Sequence, residues 1–201
     1  MRILGINGSP RGNGHTSQLV RAALEGAAEQ GVRTRHFELG EMDITGCQGC
    51  MGCRDTGRCG REDDMQRFYG EVEKAGAPAG LVIGTPIYFG HISAQLKAWM
   101  DRLFCYTLTE SGEVRFPGGF RAVIVATWEA RDKRAYESVL DWLDARLHNY
   151  YGIDVVGSLG ISGCPMEGVA ELGEGIERAN QLGVKLVEGN RQRELELLRH
   201  D

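Results

Sequence analysis

The chain has 201 residues with 23 basic and 28 acidic side chains, a formal net charge of −5; that length suits one ordinary domain with a buried core, and the acidic balance offers no footprint for a nucleic-acid backbone. Apolar residues at 42% and charged residues at 25% are the shares of a soluble globular protein. No apolar run reaches the roughly 20 residues that span a bilayer and the opening MRILGINGS has no signal-peptide pattern, so a cytoplasmic protein without membrane or nucleic-acid partners is expected.

Residues 2–8 read as a short apolar strand, followed by a Gly/Pro/Asn-rich turn and a helix over 15–30 with helical spacing at Leu19, Ala22, Ala23 and Ala27. Residues 33–39 alternate weakly as a second strand. A helix over 63–74 is expected to start at Asp63-Asp64, where carboxylates favour free N–H groups. Residues 76–84 form an apolar run suited to a strand covered on both faces. Amphipathic helices follow over 93–104 and 136–150, with strands over 122–126 and 153–161 and a last helix over 167–188. Residues 190–201 make a charged tail, a helical extension or a fraying end. Five strands alternating with helices imply one doubly covered parallel sheet in a single domain, with its ligand at the carboxyl ends of the strands.

Two compositional features stand out, 29 glycines and a cluster of four of the six cysteines between Cys47 and Cys59. Glycine at this level, without a period-three repeat, suggests tight turns and close backbone approach to a ligand. The loop GSPRGNGHTS at 8–17 offers hydroxyls, an amide and helix N-terminal N–H groups to an anion, phosphate first. It is not a Walker loop, since the first lysine is Lys74 and GxxxxGK[ST] is missing, and the glycines are out of GxGxxG register, so ATP hydrolysis loses most of its support. A turn whose Ser and Thr merely cap a helix is the alternative, and the Asn7-Gly8-Ser9 glycosylation sequon is read as chance.

The run from Cys47 to Cys59 is C-x2-C-x2-C-x5-C, a spacing that lets four thiolates converge on one [4Fe-4S] cluster. Structural zinc and four free or redox-active thiols remain open beside it. Arg54, Arg58 and Arg61 fit either a thiolate or an anionic cluster. Residues 84–91 offer backbone N–H groups and aromatic faces to a flat ring such as a flavin, and core packing of Tyr88 and Phe89 is the alternative. Thr127-Trp128-Glu129 would cover the other side of the ring. The insertion at 105–119 suits a lid or a subunit contact, and Cys105 and Cys164 read as small buried hydrophobes. No G-x-S-x-G or H-E-x-x-H is present, which leaves serine and zinc hydrolases without an anchor.

GSPRGNGHTS at 8–17, the cysteine run with Asp63-Asp64-Met65 after it, and TPIYFGHISAQLKAWMDR at 85–102 together resemble the NAD(P)H-dependent FMN reductase family of flavodoxin-like proteins, in its iron–sulfur flavoprotein branch. The resemblance covers nearly the whole chain. It implies an α/β flavodoxin-like three-layer sandwich with a five-stranded parallel sheet in the order 2-1-3-4-5, assembled as a homodimer or homotetramer with flavin near a subunit interface. Carried over by position, Ser9, Arg11, Asn13, His15, Thr16 and Ser17 would bind the FMN phosphate. Pro86, Ile87, Tyr88, Phe89 and Gly90 would hold the isoalloxazine, Thr127 would add a contact, and Cys47, Cys50, Cys53 and Cys59 would be the metal ligands. The chain departs from many relatives at His15, where they have asparagine, and at Trp128-Glu129, where they often have glycines.

The expected activity is that of an FMN-dependent oxidoreductase or electron-transfer flavoprotein coupling FMN to a [4Fe-4S] cluster. NAD(P)H or a ferredoxin-type partner would exchange electrons with it, and no catalytic side-chain acid or base is required. The alternatives are a cluster-free NAD(P)H-dependent FMN or quinone reductase, a non-enzymatic flavodoxin-like electron carrier, and a zinc-stabilised binding module.

Overall fold

Apolar runs without polar alternation can only be strands if both faces are covered, and the chain covers them with helices. The computed structural model describes residues 1–74, 79–107, 116–117, 119–165 and 172–197. The strands are β1 (Arg2–Asn7), β2 (Arg33–Glu38), β3 (Ala79–Tyr88), β4 (His91–Ile92), β5 (Arg121–Thr127) and β6 (Asp154–Ile161). The helices are α1 (His15–Glu29), α2 (Cys53–Thr56), α3 (Met65–Val72), α4 (Ala94–Arg102), α5 (Glu137–Tyr151) and α6 (Glu174–Leu197), with 3-10 turns at Leu39–Glu41 and Leu103–Tyr106.

The sheet runs β2-β1-β3-β5-β6, all parallel, with β4 antiparallel on the end of β3. Setting aside the two-residue β4, the five long strands keep the expected 2-1-3-4-5 order. Successive side chains take opposite faces. Ile3, Val82, Val123 and Val125 pack under α1 and α6, while Leu4, Ile6, Leu81, Ile83 and Ile124 pack under α3, α4 and α5. Trp99 of α4 and Phe68 of α3 meet edge to face at 5.1 Å at the centre of the second layer.

Some of the glycine surplus serves helix packing and not loops. A Cβ on Gly26 of α1 would come within 2.1 Å of the Asn180 carbonyl oxygen, and one on Gly183 of α6 within 1.8 Å of the Ala23 carbonyl oxygen. These two helices therefore cross in backbone contact.

Three local readings change. Residues 85–88 are strand and not loop: β3 runs on through Tyr88, held by pairing with β5 up to Pro86↔Thr127 and by the β4 hairpin at Tyr88↔His91. The connecting Phe89 and Gly90 both have positive φ, 50° and 80°, the requirement of a tight two-residue hairpin turn. The cysteine run contains the one-turn helix α2. At α3 the helix begins at Met65, and the Asp64 side chain makes no capping bond there; Asp63 Oδ1 accepts the Met65 N–H at 3.0 Å while Asp64 Oδ2 accepts the Asp43 N–H. The tail after 190 continues α6 to Leu197. The expected start of the last helix at 167 and the strand residues 76–78 lie outside the described residues, as does most of the 105–119 insertion, whose Phe116 packs on Tyr106 and on Phe120 just beyond it. No described helix is long and apolar enough to cross a membrane.

Candidate functional site

The carboxyl ends of β1, β3 and β5 open on one edge of the sheet, and the loop after β1 is built there by its own side chains. Asn7, buried at the end of β1, accepts the Ser9 N–H at 3.1 Å and donates to Ser17 Oγ at 2.7 Å and to Glu38. The Ser9 and Ser17 hydroxyls both donate to the Arg11 carbonyl, at 3.1 and 2.7 Å, and the Gly14 N–H joins them at 2.9 Å. Arg21 holds Asn13 Oδ1 at 3.3 Å and pairs with Glu38 at 3.2 Å. Gly8 is needed where it stands, since a Cβ would meet Leu96 Cβ at 2.8 Å and Ser93 Oγ at 2.9 Å.

Helix α1 starts from this loop with neither a side-chain cap at Gly14 nor an acidic residue in its first turn. The positive end of its dipole therefore meets the loop with no capping side chain or carboxylate of its own, a setting that suits an anion. His15, buried beside it, has its pKa lowered by burial and by Arg11, so it is neutral near pH 7.

A cavity of about 1000 Å3 opens beside the loop, large enough for a flavin nucleotide. The predicted residues Arg11, His15, Pro86, Ile87, Tyr88, Phe89, Gly90 and Thr127 line it. Ser9, Thr16 and Ser17 are buried behind its wall, Thr16 by a hydroxyl bond of 2.7 Å to Thr127, and Asn13 is exposed at the loop's rim. Tyr88 is half-exposed and Phe89, in its left-handed conformation, stands fully in solvent at the hairpin tip. Trp128 forms a buried wall of the cavity: a Cβ on Gly160 would lie 2.3 Å from its ring, and its Nε1 donates to the Asp132 carbonyl at 3.0 Å. The rim also takes Ala130, Arg131, Tyr136, Cys164 and Pro165, which sequence reasoning missed. They come from loops after β5 and β6, and their position at strand ends was the available signal.

A second cavity, of about 420 Å3, shares no lining residue with the first and is lined by Cys47, Cys50, Cys53 and Cys59. All four are free thiols, the first two exposed and the others half-buried. Left-handed Gly49, Met51 and Gly57 bend the loop around them, and the Gly57 N–H closes α2 on the Cys53 carbonyl at 2.9 Å. Burial and the neighbouring Cys59 push the Cys53 thiol up. Among the described residues no His, Cys, Asp and Glu side chains are gathered tightly enough to hold a single metal ion. Arg58, Arg61, Arg102 and Cys105 complete the wall. Cys105 is buried as expected, its thiol raised to about 11 by burial. Cys164 is buried too, with its thiol raised by burial.

The chain compares with known proteins as follows. A family model described as NADPH-dependent FMN reductase matches residues 1–150. An iron–sulfur flavoprotein of Methanosarcina thermophila is 31% identical over 157 residues, 78% of each chain. An iron–sulfur flavoprotein of Methanocaldococcus jannaschii is 41% identical over 102 residues, so the chain matches about half of that relative's length. Among solved structures, an NAD(P)H:quinone oxidoreductase from Methanothermobacter marburgensis superposes with a TM-score of 0.68 over 92% of this chain and 96% of that one, at 17% identity, a likeness of fold.

Proposed function

The chain belongs to the NADPH-dependent FMN reductase family, in its iron–sulfur flavoprotein branch, and from that premise we propose that it is an FMN-dependent oxidoreductase coupling FMN to a [4Fe-4S] cluster. One observation carries this reading: a single chain has a flavin-sized cavity at an uncapped helix N-terminus and a separate cavity walled by four thiols.

The N–H groups at the start of α1 bind the FMN phosphate, with Arg11 and His15 beside it. Ser9, Asn13, Thr16 and Ser17 shape the loop and supply further polar contacts. Pro86, Ile87, Tyr88, Phe89 and Gly90 hold the isoalloxazine along the end of β3, and Thr127 joins from β5. Cys47, Cys50, Cys53 and Cys59 ligate the cluster. The donor set fits that group. Four cysteines of one compact loop are a donor set that such a cluster uses, and all four line a single cavity here.

When bound, FMN supplies hydride and single-electron chemistry and the cluster supplies single-electron chemistry. The protein's part is to orient both and to keep His15 neutral, with no side-chain acid or base. NAD(P)H is the proposed donor, and a ferredoxin-type protein or a quinone the proposed acceptor, in a homodimer or homotetramer. A cluster-free NAD(P)H-dependent FMN or quinone reductase is the second reading, favoured by the exposure of Cys47 and Cys50.

The test is an anaerobic preparation on which the visible spectrum, FMN, iron, sulfide and zinc are measured together. About four irons per chain beside FMN is the expected result. Flavin without iron selects the second reading, and a colourless protein overturns both.

A further inference from the structure

Arg102 ends α4 in a place where arginine is seldom found, 2% exposed in the wall of the thiol-lined cavity. Its guanidinium is only partly partnered. Nη1 donates to the Thr45 carbonyl at 2.9 Å and to Asp63, and Nη2 donates to Asp63 Oδ1 at 3.1 Å. Of the two N–H groups that those three bonds leave over, Nε–H is on a buried atom with no partner in the protein. A buried donor of a charged group left unpaired is costly, so such an orphan points to a missing acceptor.

The surroundings restrict what that acceptor is. The backbone at this point is fixed from behind, because the Tyr69 hydroxyl donates to the Arg102 carbonyl at 2.7 Å and the Cys105 thiol to the same oxygen at 3.5 Å. The four cysteines line the same cavity as Arg102, and Cys59 is close enough to act electrostatically on the guanidinium. Burial opposes the charge on Arg102, but Asp63, Tyr69 and Cys59 more than offset it, so the group stays cationic. The other arginines near the loop differ in kind: Arg54 lies over the Phe104 ring, Arg58 pairs with Glu73, and Arg61 pairs with Asp63, the last two with their side chains partly in water.

We propose that Arg102 is a positioning residue whose Nε–H donates to a sulfur of the cluster or of a ligating thiolate, and so raises the reduction potential. The inference rests on the cluster reading above. Upon reduction one electron enters the cluster, no bond forms or breaks in the protein, and the guanidinium remains protonated in both states. The added negative charge on sulfur strengthens a fixed hydrogen bond from a buried cationic donor, which favours the reduced form.

The experiment is a redox titration, followed by electron paramagnetic resonance, of anaerobically reconstituted wild type, Arg102→Lys and Arg58→Lys. Arg102→Lys keeps a cation for Asp63 and removes Nε. It is expected to lower the reduction equilibrium constant threefold to tenfold, tenfold being 59 mV for one electron. Arg58→Lys is expected to change it less than twofold, and the FMN content and flavin potential stay as in wild type in both. Wild type grown with 15N-arginine answers the question without depending on how the variant folds. A nitrogen coupling to the reduced cluster that persists in Arg58→Lys and Arg61→Lys is expected by electron–nuclear double resonance. Absence of that coupling, or an unchanged equilibrium in folded, iron-loaded Arg102→Lys, overturns the inference. A wild type that binds FMN but no iron overturns the cluster reading instead.

Discussion

The loop at 8–17 and the loop at 47–59 both leave the same sheet layer system, yet one is finished and the other is waiting. In the first, Asn7, Ser9, Ser17 and Arg21 bond one another and the backbone, Thr16 bonds Thr127, and most are buried. In the second, two cysteines and Met51 are exposed, and order comes from a single helical turn and three left-handed residues. An anion can be awaited by neutral N–H dipoles at little cost. Four thiolates repel one another, so under the proposed reading their site would be completed only by the metal.

The contrast breaks most sharply at a ligand. Cys50→Ala is expected to abolish iron loading while FMN stays bound, measured by metal and flavin analysis on one sample; retained iron would place the cluster elsewhere. Next in size is Asn7→Ala, which strips the Ser9 N–H, Ser17 and Glu38 of a buried partner. It should cost about 2–4 kcal/mol in chemical denaturation, since each orphaned buried group costs about 1–3 kcal/mol, and weaken FMN while leaving iron unaffected. If stability is unchanged, the first loop is not pre-built.

Removing iron with a chelator is a milder probe. Limited proteolysis should then open the chain within 47–59, with 8–17 protected as before; equal sensitivity in both would erase the distinction. The smallest effect is titration of the first loop. His15 and His36 both have folded pKa values below 6.5, burial being the main cause in each. The unfolded chain therefore takes up their protons first as pH falls, so the stability they allow is full above pH 6.5 and declines below it. His15→Gln should flatten the stability slope below that pH in FMN-free protein, read from denaturation midpoints at several pH values.

Legibility followed the same division. The apolar runs of β1 and β5 and the period of α1 announce themselves because burial on one or both faces leaves a pattern in adjacent residues. The end of β3 does not, because Thr85-Pro86 with two aromatics has loop composition, and what makes it strand is pairing with β5, far along the chain, and with β4 across a two-residue turn. Four ligand candidates were readable from spacing alone. Arg102 and Cys105 were not, since tertiary folding brings them to the thiols, although an arginine three residues after Trp99 on the buried stripe of α4 was itself a visible anomaly. The rim at 130–136 and 164–165 had no local mark beyond following a strand.

The crossing of α1 and α6 at Gly26 and Gly183 reaches past the stretch that the family model matches, which stops at 150. A fragment trimmed to that stretch would keep every residue named for either cofactor except the cavity's far rim, and would still lose its keel. Without β6, β5 becomes a bare edge open to pairing with other chains. Without α6, helix α1, whose N-terminus opens on the larger cavity, has nothing seated against Ala23 and Ala27, and Val82 and Val123 lose half of their roof. The recognisable three quarters of the chain are therefore moored by the quarter that carries no motif, through fit against α1 and not through chemistry.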